Sequence, residues 1–361
     1  MFLPQTDVAL PGLLPLAFTR RTESGLTAGR FLGPSWTCTV DERLAIDAVG
    51  VVHATADGLL ITYPHPVPGA PTRPESGTAR TLLAREADGD WTVTDPGTGL
   101  VRRFTAPAGA EPGGDGIAWL TSLTDRNGHT ITVDRTEDGL PLALVHSGGY
   151  HLKLTLADGR ITRLALVGAG EDGTDLTLMS YGYDENANPT TVTKPSGATT
   201  TFLHDDRHRA TAWTDSNNSR YDYTYDHHDR VIAEGGEAGH VQITLAYTDP
   251  DPETGHRTTT LTTTDGRSTR HLIDHRCRVI ATVDPAGNTS RYGYDTHGNL
   301  VSRTDPLGRT TAFAYDEDGR LVSTVRPRRQ RTHHEAGAFR EAHGTGRTRR
   351  GAMVPGVRRT R

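Results

Sequence analysis

The sequence predicts an all-β protein in which tandem β-hairpins assemble into a single spiralling sheet. The first observation is a period of 21 residues, which separates Tyr183 from His204 and Tyr294 from Tyr315, each followed by Asp. The second is the content of 40 Gly and 21 Pro, which favours frequent turns over long helices. The third is the abundance of Thr, Val and Tyr between the turns, as pleated strands prefer.

One repeat unit can be read from residues 295–315. A turn at 295–298 leads into a strand, a second turn at 305–308 follows, and the next strand ends at residue 315. Asp at the first turn position can accept bonds from the turn amides, and Gly at the fourth suits the left-handed conformation that closes a bulged hairpin. The structural positions predicted for the repeat are Tyr183, Asp184, Tyr225, Asp226, Asp284, Gly287, Tyr294, Asp295, Asp305, Gly308, Tyr315, Asp316 and Gly319.

Bulky side chains recur two residues apart in the second strand of each unit. Tyr292 and Tyr294 are one such pair, and Phe313 and Tyr315 are the next. A spacing of two places both members on one face of the strand. We expect successive pairs to stack into an aromatic ladder that packs the sheet. The alternative is that exposed rings bind sugar rings at a cell surface.

The repeated motif resembles the RHS/YD repeat. Tyr315-Asp-Glu-Asp-Gly-Arg-Leu321 carries the resemblance, together with the Asp-Pro-x-Gly-x-Thr-Thr segments of other copies. The segment Gly29-Arg-Phe-Leu-Gly-Pro-Ser-Trp36 is similar to the region that precedes the repeats in actinobacterial RHS proteins. The resulting division is a β-rich N-terminal region at 1–120, repeats at 121–325 and an Arg-rich tail at 326–361.

The resemblance implies a structural function. In the family, YD repeats wind into a cocoon-like shell that encloses a toxic C-terminal effector domain until it is delivered into a neighbouring cell, often by type VI or contact-dependent secretion. The repeats do no chemistry, so we predict a shell fragment of a polymorphic toxin rather than an enzyme. The expected partners are the enclosed effector, secretion machinery and cell-surface glycans. The intact family is secreted or displayed at the cell surface.

The two ends of the chain depart from the family pattern. The repeat pattern stops near Val325, and we expect no effector domain in the 36 residues after it. The tail holds eleven Arg and two Glu, which is a formal charge of +9. Because the net charge of the whole chain is −5, residues 1–325 carry −14. A truncated or frameshifted product of GC-rich DNA is the favoured explanation, and binding of nucleic acid by the basic tail is the alternative. We also expect no signal peptide and no membrane-spanning segment.

Catalytic and metal-binding patterns are weak throughout the sequence. There is no P-loop, H-E-x-x-H or G-x-S-x-G motif. His271 and His275 lie near Cys277, but a spacing of four brings two histidines together only on a helix. The acidic insertion from Asp249 to Glu253 lacks the Gly and Glu spacing of an EF-hand. We predict no catalytic, cofactor-binding or metal-binding residues.

Overall fold

A computed structural model of the chain describes residues 1–67, 69–75, 77, 79–106, 116–239, 241–327 and 331–333. Regular structure in these residues is almost entirely antiparallel β-strand, which confirms the all-β prediction. The helical segments described are single turns of 3₁₀ helix at Thr39–Asp41, Glu171–Gly173 and Glu237–Gly239. Within the same residues, no helix has the length and apolar character that crossing a bilayer requires.

The beginning of the chain forms a small sheet of its own. In its central strand, Leu16, Phe18 and Arg20 alternate onto one buried face, as the two-residue period of a strand requires. Trp36 and Cys38 in the short third strand are also buried. We call this unit the N-terminal sheet; its strands are β1 (Phe2–Leu10), β2 (Leu16–Glu23) and β3 (Trp36–Cys38), paired in that order.

A second, much longer sheet begins at residue 43 and branches at its seventh strand. In that strand Trp119 pairs with Arg43 on one edge and with Thr105 on the other, while Ser122 pairs with Arg103 and Thr132. The strands of this first part are β4 (Arg43–Ile46), β5 (Val51–Ala54), β6 (Leu60–Tyr63), β7 (Leu82–Arg85), β8 (Trp91–Thr94), β9 (Val101–Thr105) and β10 (Gly116–Thr124). Because β10 runs through residue 120, the expected N-terminal region and the repeats share one sheet.

The remaining strands follow as a simple meander, each paired with the next. We call this part the repeat sheet. Its strands are β11 (Thr130–Arg135), β12 (Pro141–His146), β13 (His151–Ala157), β14 (Arg160–Leu166), β15 (Leu176–Tyr183), β16 (Pro189–Thr193), β17 (Thr199–His204), β18 (Ala210–Thr214), β19 (Arg220–Tyr225), β20 (Val231–Gly236), β21 (Ile243–Tyr247), β22 (Arg257–Thr263), β23 (Ser268–Ile273), β24 (Val279–Val283), β25 (Thr289–Tyr294), β26 (Leu300–Thr304), β27 (Thr310–Tyr315), β28 (Leu321–Val325) and β29 (Arg331–His333).

The long sheet curls so that late hairpins approach the early region. Arg73 Nη2 lies 3.3 Å from Asp318 Oδ1, although 245 residues separate them. Arg80 Nη2 lies 3.5 Å from Asn299 Oδ1, across 219 residues. The sheet is nevertheless not closed, since no strand pairing in the described chain joins β6 to β7, and β29 pairs only with β28. A spiralling single sheet is therefore the observed architecture.

The apolar core lies where the N-terminal sheet packs on the long sheet. Trp36, Phe18, Leu120 and Leu152 are essentially inaccessible to solvent, and Phe202 in β17 is the last large residue of this cluster. Later units have only small or medium apolar residues buried in the part of the chain that is described. These residues are Ala210, Ala212, Val231 and Ala281. The later units therefore depend more on hydrogen bonds between neighbouring hairpins.

Candidate functional site

The turn that opens each unit is organised by its aspartate. At Asp295 the carboxylate accepts hydrogen bonds from the backbone N–H of His297 at 2.9 Å, from the backbone N–H of Asn299 at 2.8 Å and from the Asn299 side-chain amide at 2.8 Å. The carbonyl of Asp295 accepts the N–H of Gly298, which closes the turn. Corresponding carboxylate bonds occur at Asp184, Asp226, Asp284, Asp305 and Asp316.

The fourth turn position has a left-handed backbone. The φ angles are 85° at Gly287 and 89° at Gly298. Glycine adopts this conformation without the steric penalty of a Cβ atom. Gly308 and Gly319 have the same conformation, at 76° and 74°. Cys277 occupies the equivalent position of an earlier unit with φ of 61°, so the turn geometry is retained there without glycine.

Arginine at the fifth position connects one unit to the next. Arg278 donates from Nε to the Asp274 carboxylate at 2.8 Å and from Nη1 to the carbonyl of Asp295 at 3.2 Å. Its guanidinium also lies 4.9 Å from the ring centroid of Tyr294. A planar, permanently charged fork can make all three contacts at once. The same cation–π pairing joins Arg209 to Tyr225 and Arg230 to Tyr247.

These contacts hold the carboxyl groups of Asp226 and Asp274 in the charged form. Partial burial of Asp226 opposes ionisation, but the N–H groups of Arg230 and His228 and the Arg230 guanidinium outweigh it and lower the pKa to about 2. The pKa of Asp274 is lowered by the same balance of causes. A carboxyl group that stays ionised at neutral pH is a poor general acid. The geometry therefore favours a structural role for the repeated aspartates.

The repeat tyrosines donate their hydroxyls to the backbone of the neighbouring hairpin. Tyr294 Oη donates to the carbonyl of Val279 at 2.9 Å, and Tyr315 Oη donates to that of Leu300 at 3.0 Å. The expected stacking of successive rings is wrong for these two residues. The strands that carry them are separated by β26, and two strand spacings of about 4.8 Å put the rings too far apart for contact. Between these two rings, the carbonyl of Leu300 accepts the Tyr315 hydroxyl instead.

Stacked aromatics do occur earlier, where neighbouring strands both carry rings. Trp213 in β18 stacks on Tyr221 in β19 with 5.8 Å between centroids, and Tyr221 is 5.2 Å from Tyr223. Further along, the arginine over the ring of Tyr294 and the hydrogen bond of its hydroxyl occupy groups that a sugar would need. This arrangement favours packing over the carbohydrate-binding alternative.

Replacing Asp274 by Ala should destabilise its hairpin pair by about 2 kcal/mol. The substitution removes the carboxylate that accepts the backbone N–H groups of Arg276 and Arg278 and the Arg278 guanidinium. The Asp274 side chain is only 6% exposed. The measurement is urea unfolding followed by far-UV circular dichroism. Asp265→Ala is the matched control, because its side chain is 54% exposed and its turn lies off the repeat pattern. Equal losses for the two variants would contradict the assigned role.

Tyr294→Phe should cost about 1 kcal/mol, since it removes one hydrogen bond and leaves the Val279 carbonyl without its donor. The ring and its contact with Arg278 are retained. Tyr292→Phe is the control on the same strand, because within the described chain the Tyr292 hydroxyl has no hydrogen-bond partner. We expect the urea midpoint to fall for the first variant and to stay close to wild type for the second.

The N-terminal sheet rests on the tyrosine-bearing face of the repeat sheet. Tyr181 Oη donates to Asp7 Oδ2 at 2.6 Å, which also accepts from Arg20 Nε at 2.8 Å. Trp36 meets Phe202 edge to face at 5.1 Å, and its indole N–H donates to His204 Nε2 at 3.3 Å. The aromatic face is thus the inner face of the curled sheet. These docking residues were not predicted from the sequence, although Trp36 ends the segment that resembles the pre-repeat region.

A second set of buried polar groups secures the start of the long sheet. Asp41 accepts the backbone N–H of Cys38 at 2.8 Å and of Arg30 at 3.1 Å. Burial raises the pKa of Asp41, in opposition to its hydrogen bonds. Arg135 donates to three backbone carbonyls in the same neighbourhood, including that of Val40 at 2.7 Å. Isolated charged residues of this kind give no periodic signal in a sequence.

The residues considered for metal binding do not converge. His271 lies in β23, where its ring is hydrogen-bonded to the Thr282 hydroxyl. Cys277 lies in the following turn, where its sulfur accepts a hydrogen bond from the Arg257 guanidinium. The Asp251 carboxylate is used by its own loop, through the N–H groups of Glu253 and Thr254. Across the described residues, no group of three or more His, Cys, Asp or Glu side chains is placed to hold a metal. Of the Arg-rich tail, only 326, 327 and the backbone of β29 lie within the described residues.

Sheet, turns and inter-unit contacts together define a tandem β-hairpin repeat protein. Residues 204–241, 278–306 and 294–331 match the sequence model described as RHS Repeat, and residues 1–63 match one described as Domain of unknown function (DUF6531). These segments of the chain are therefore RHS/YD repeats, as the turn motif predicted.

Three further proteins are similar to the chain. Double-stranded DNA deaminase toxin A of Burkholderia cenocepacia (strain H111) is 28% identical over 196 residues, which span 54% of this chain but only 13% of the toxin. The structure of TcdB2-TccC3-Cdc42 covers 87% of this chain and 22% of its own, at 13% identity and a TM-score of 0.28. The match to the N-terminal domain of SpvB from Salmonella typhimurium strain LT2 covers 64% of this chain and 98% of the SpvB domain, at 12% identity and a TM-score of 0.27. Both TM-scores are too low to support an inference.

Proposed function

We propose that this chain is a structural part of a toxin-associated shell whose inner face surrounds an effector. The observation that carries the proposal is the constant orientation of the repeat sheet. Tyr181 and Phe202 face the N-terminal sheet, and the rings of later units lie on the same side. A sheet that curls with one face always inward encloses a volume as hairpins are added.

The toxin association is supported by the relative in Burkholderia cenocepacia, whose name assigns it a toxin activity on double-stranded DNA. The similarity spans only 13% of that protein, so its deaminase activity is not carried over to this chain. We propose that this chain is the non-catalytic part, because the carboxylates of its repeated aspartates accept the hydrogen bonds of their own turns. Delivery to a neighbouring cell, by type VI or other secretion machinery, and the effector itself as a partner rest on the family resemblance.

The proposal is tested by the accessibility of the two faces of β25 in the product of the native locus, purified from the cells that make it. Tyr292→Cys places a thiol on the inner face, and Arg291→Cys places one on the outer face of the same strand. With Cys277 replaced by Ser, a bulky maleimide should label the outer thiol and spare the inner one. Labelling of both thiols at the same rate would show that the inner face is not enclosed and would refute the shell.

A further inference from the structure

One repeat unit carries histidine where its neighbours carry tyrosine. His204 ends β17 and is followed by Asp205, in the place that Tyr183 and Tyr225 occupy in the adjacent units. Tyr225 donates its hydroxyl to the backbone carbonyl of Ala210. His204 makes a different contact, because it lies opposite β3 of the N-terminal sheet. The exchange thus coincides with the place where the two sheets meet.

The contact of His204 depends on a neutral ring. Trp36 Nε1–H, a group that can only donate, points at His204 Nε2 from 3.3 Å. Nε2 must therefore keep its lone pair, which places the ring proton on Nδ1. Nδ1 is itself buried and has no hydrogen-bond partner within the described residues. A second proton would set an Nε2–H against the indole N–H and leave these two further donors without acceptors, beside Nδ1–H.

We propose that His204 makes the docking of the N-terminal sheet onto the repeat sheet dependent on pH, with the neutral ring holding the sheets together and the protonated ring releasing them. This inference goes beyond encapsulation and holds whether or not the chain encloses an effector. A histidine is suited to this role because it is the side chain whose unperturbed pKa puts its change of charge between about pH 5 and 8.

The surroundings of His204 set the direction of the effect. Burial is the largest influence and lowers the pKa of His204 to about 4, against the attraction of Asp184 and Asp205 and together with repulsion from His208. Across the interface, the Arg20 guanidinium lies 4.9 Å from the Trp36 ring and is paired with Asp7. The charged or titratable groups that face the contact are therefore Asp184, Asp205, His208, Arg20 and Asp7.

The sign of the effect follows from linkage. A histidine whose pKa is lower in the docked state than when released binds its proton preferentially in the released state. Docking is then fully present above about pH 6.5, the ordinary value, and weakens as the pH falls toward about 4. The two values imply a docking constant about 10-fold lower at pH ~5.5 and about 20-fold lower at pH ~5 than at neutral pH.

The two cysteines offer a direct probe of this opening. Cys38 lies in β3 and is fully buried, whereas Cys277 is exposed. In the full chain with Cys277→Ser, we would measure the rate at which Cys38 reacts with dithiodipyridine. The ratio of this rate to the rate in urea-unfolded protein reports the fraction of molecules in which β3 is released. We expect this ratio to rise about 10-fold between neutral pH and pH ~5.5. Far-UV circular dichroism at each pH follows the repeat sheet.

Two further substitutions separate His204 from other acid-sensitive groups. His204→Gln supplies an amide oxygen that accepts from Trp36 without titrating, so the ratio should change less than about 2-fold over the same range. His146→Gln is the control at the second histidine that joins the two sheets: Nε2–H of His146 donates to the carbonyl of Leu14 at 2.7 Å, and its Nδ1 accepts the N–H of Gly148 at 2.7 Å. The control should keep the acid-induced rise.

Three outcomes would overturn the proposal. One is a wild-type ratio that does not change with pH, and another is an equal rise in His204→Gln. The third is loss of the circular dichroism signal over the same pH range, because the chain would then be unfolding as a whole. If the Gln variant does not fold, His204→Tyr restores the residue of the neighbouring units, and the same absence of an acid-induced rise is expected.

Discussion

Trp36→Ala should cost about 3–5 kcal/mol and selectively loosen the N-terminal sheet. The side chain is 0% exposed, meets Phe202 edge to face and lies under the guanidinium of Arg20. Truncation removes a large buried ring and leaves a cavity between two sheets that cannot close on it without moving. Hydrogen exchange should show the loss as faster exchange of the β1 and β2 amides, with the later hairpins little changed.

Two companion variants make this prediction specific. Trp36→Phe keeps a ring in the cavity but loses the indole N–H to His204, so it should cost less, about 1–2 kcal/mol. Trp213→Ala removes a half-buried ring that stacks on Tyr221 in the repeat sheet itself. It should leave exchange in β1 and β2 close to wild type. Faster exchange throughout the chain in Trp36→Ala would mean that the N-terminal sheet and the repeats do not open independently.

The repeat was predictable because it is periodic and local. Each turn needs its Asp and left-handed fourth residue within five positions, and Asp295 with Gly298 shows the pattern plainly in the sequence. The connection between units was harder to foresee. Arg278 reaches the carbonyl of Asp295 and the ring of Tyr294, and nothing in the spacing distinguishes this contact from ring stacking. The predicted ladder of stacked rings was wrong because one 21-residue period spans two strands of the sheet, so that successive rings are not on neighbouring strands.

The docking of the N-terminal sheet could not be predicted from the sequence alone. Trp36 and His204 are 168 residues apart, and Tyr181 and Asp7 are 174 apart. Contacts at such separations depend on the curvature of the whole sheet, which arises from small twists and bulges added strand by strand. The 21-residue period shows that His204 stands where neighbouring units have Tyr, but the role of this histidine could be inferred only from the position of Trp36.

Arg135→Met should be as damaging as loss of the buried tryptophan, at about 3–5 kcal/mol. The guanidinium donates to the carbonyls of Leu120 at 3.2 Å, Gly139 at 2.9 Å and Val40 at 2.7 Å, and lies 4.8 Å from the Trp119 ring. Burial lowers the pKa of Arg135 to about 10, so the group is still charged at neutral pH. Methionine fills part of the space but leaves three carbonyls without their donor.

The comparison that decides the role of Arg135 is with Arg163→Met on the exposed side of β14, which should change stability by less than about 0.5 kcal/mol. Arg135→Lys should recover only part of the loss, since an ammonium group retains the charge but not the planar fork that reaches three carbonyls. Urea unfolding measures all three variants. Full recovery by lysine would show that charge near Asp41 is what matters, whereas the observed geometry requires that directed hydrogen bonds join the first strands to the repeats.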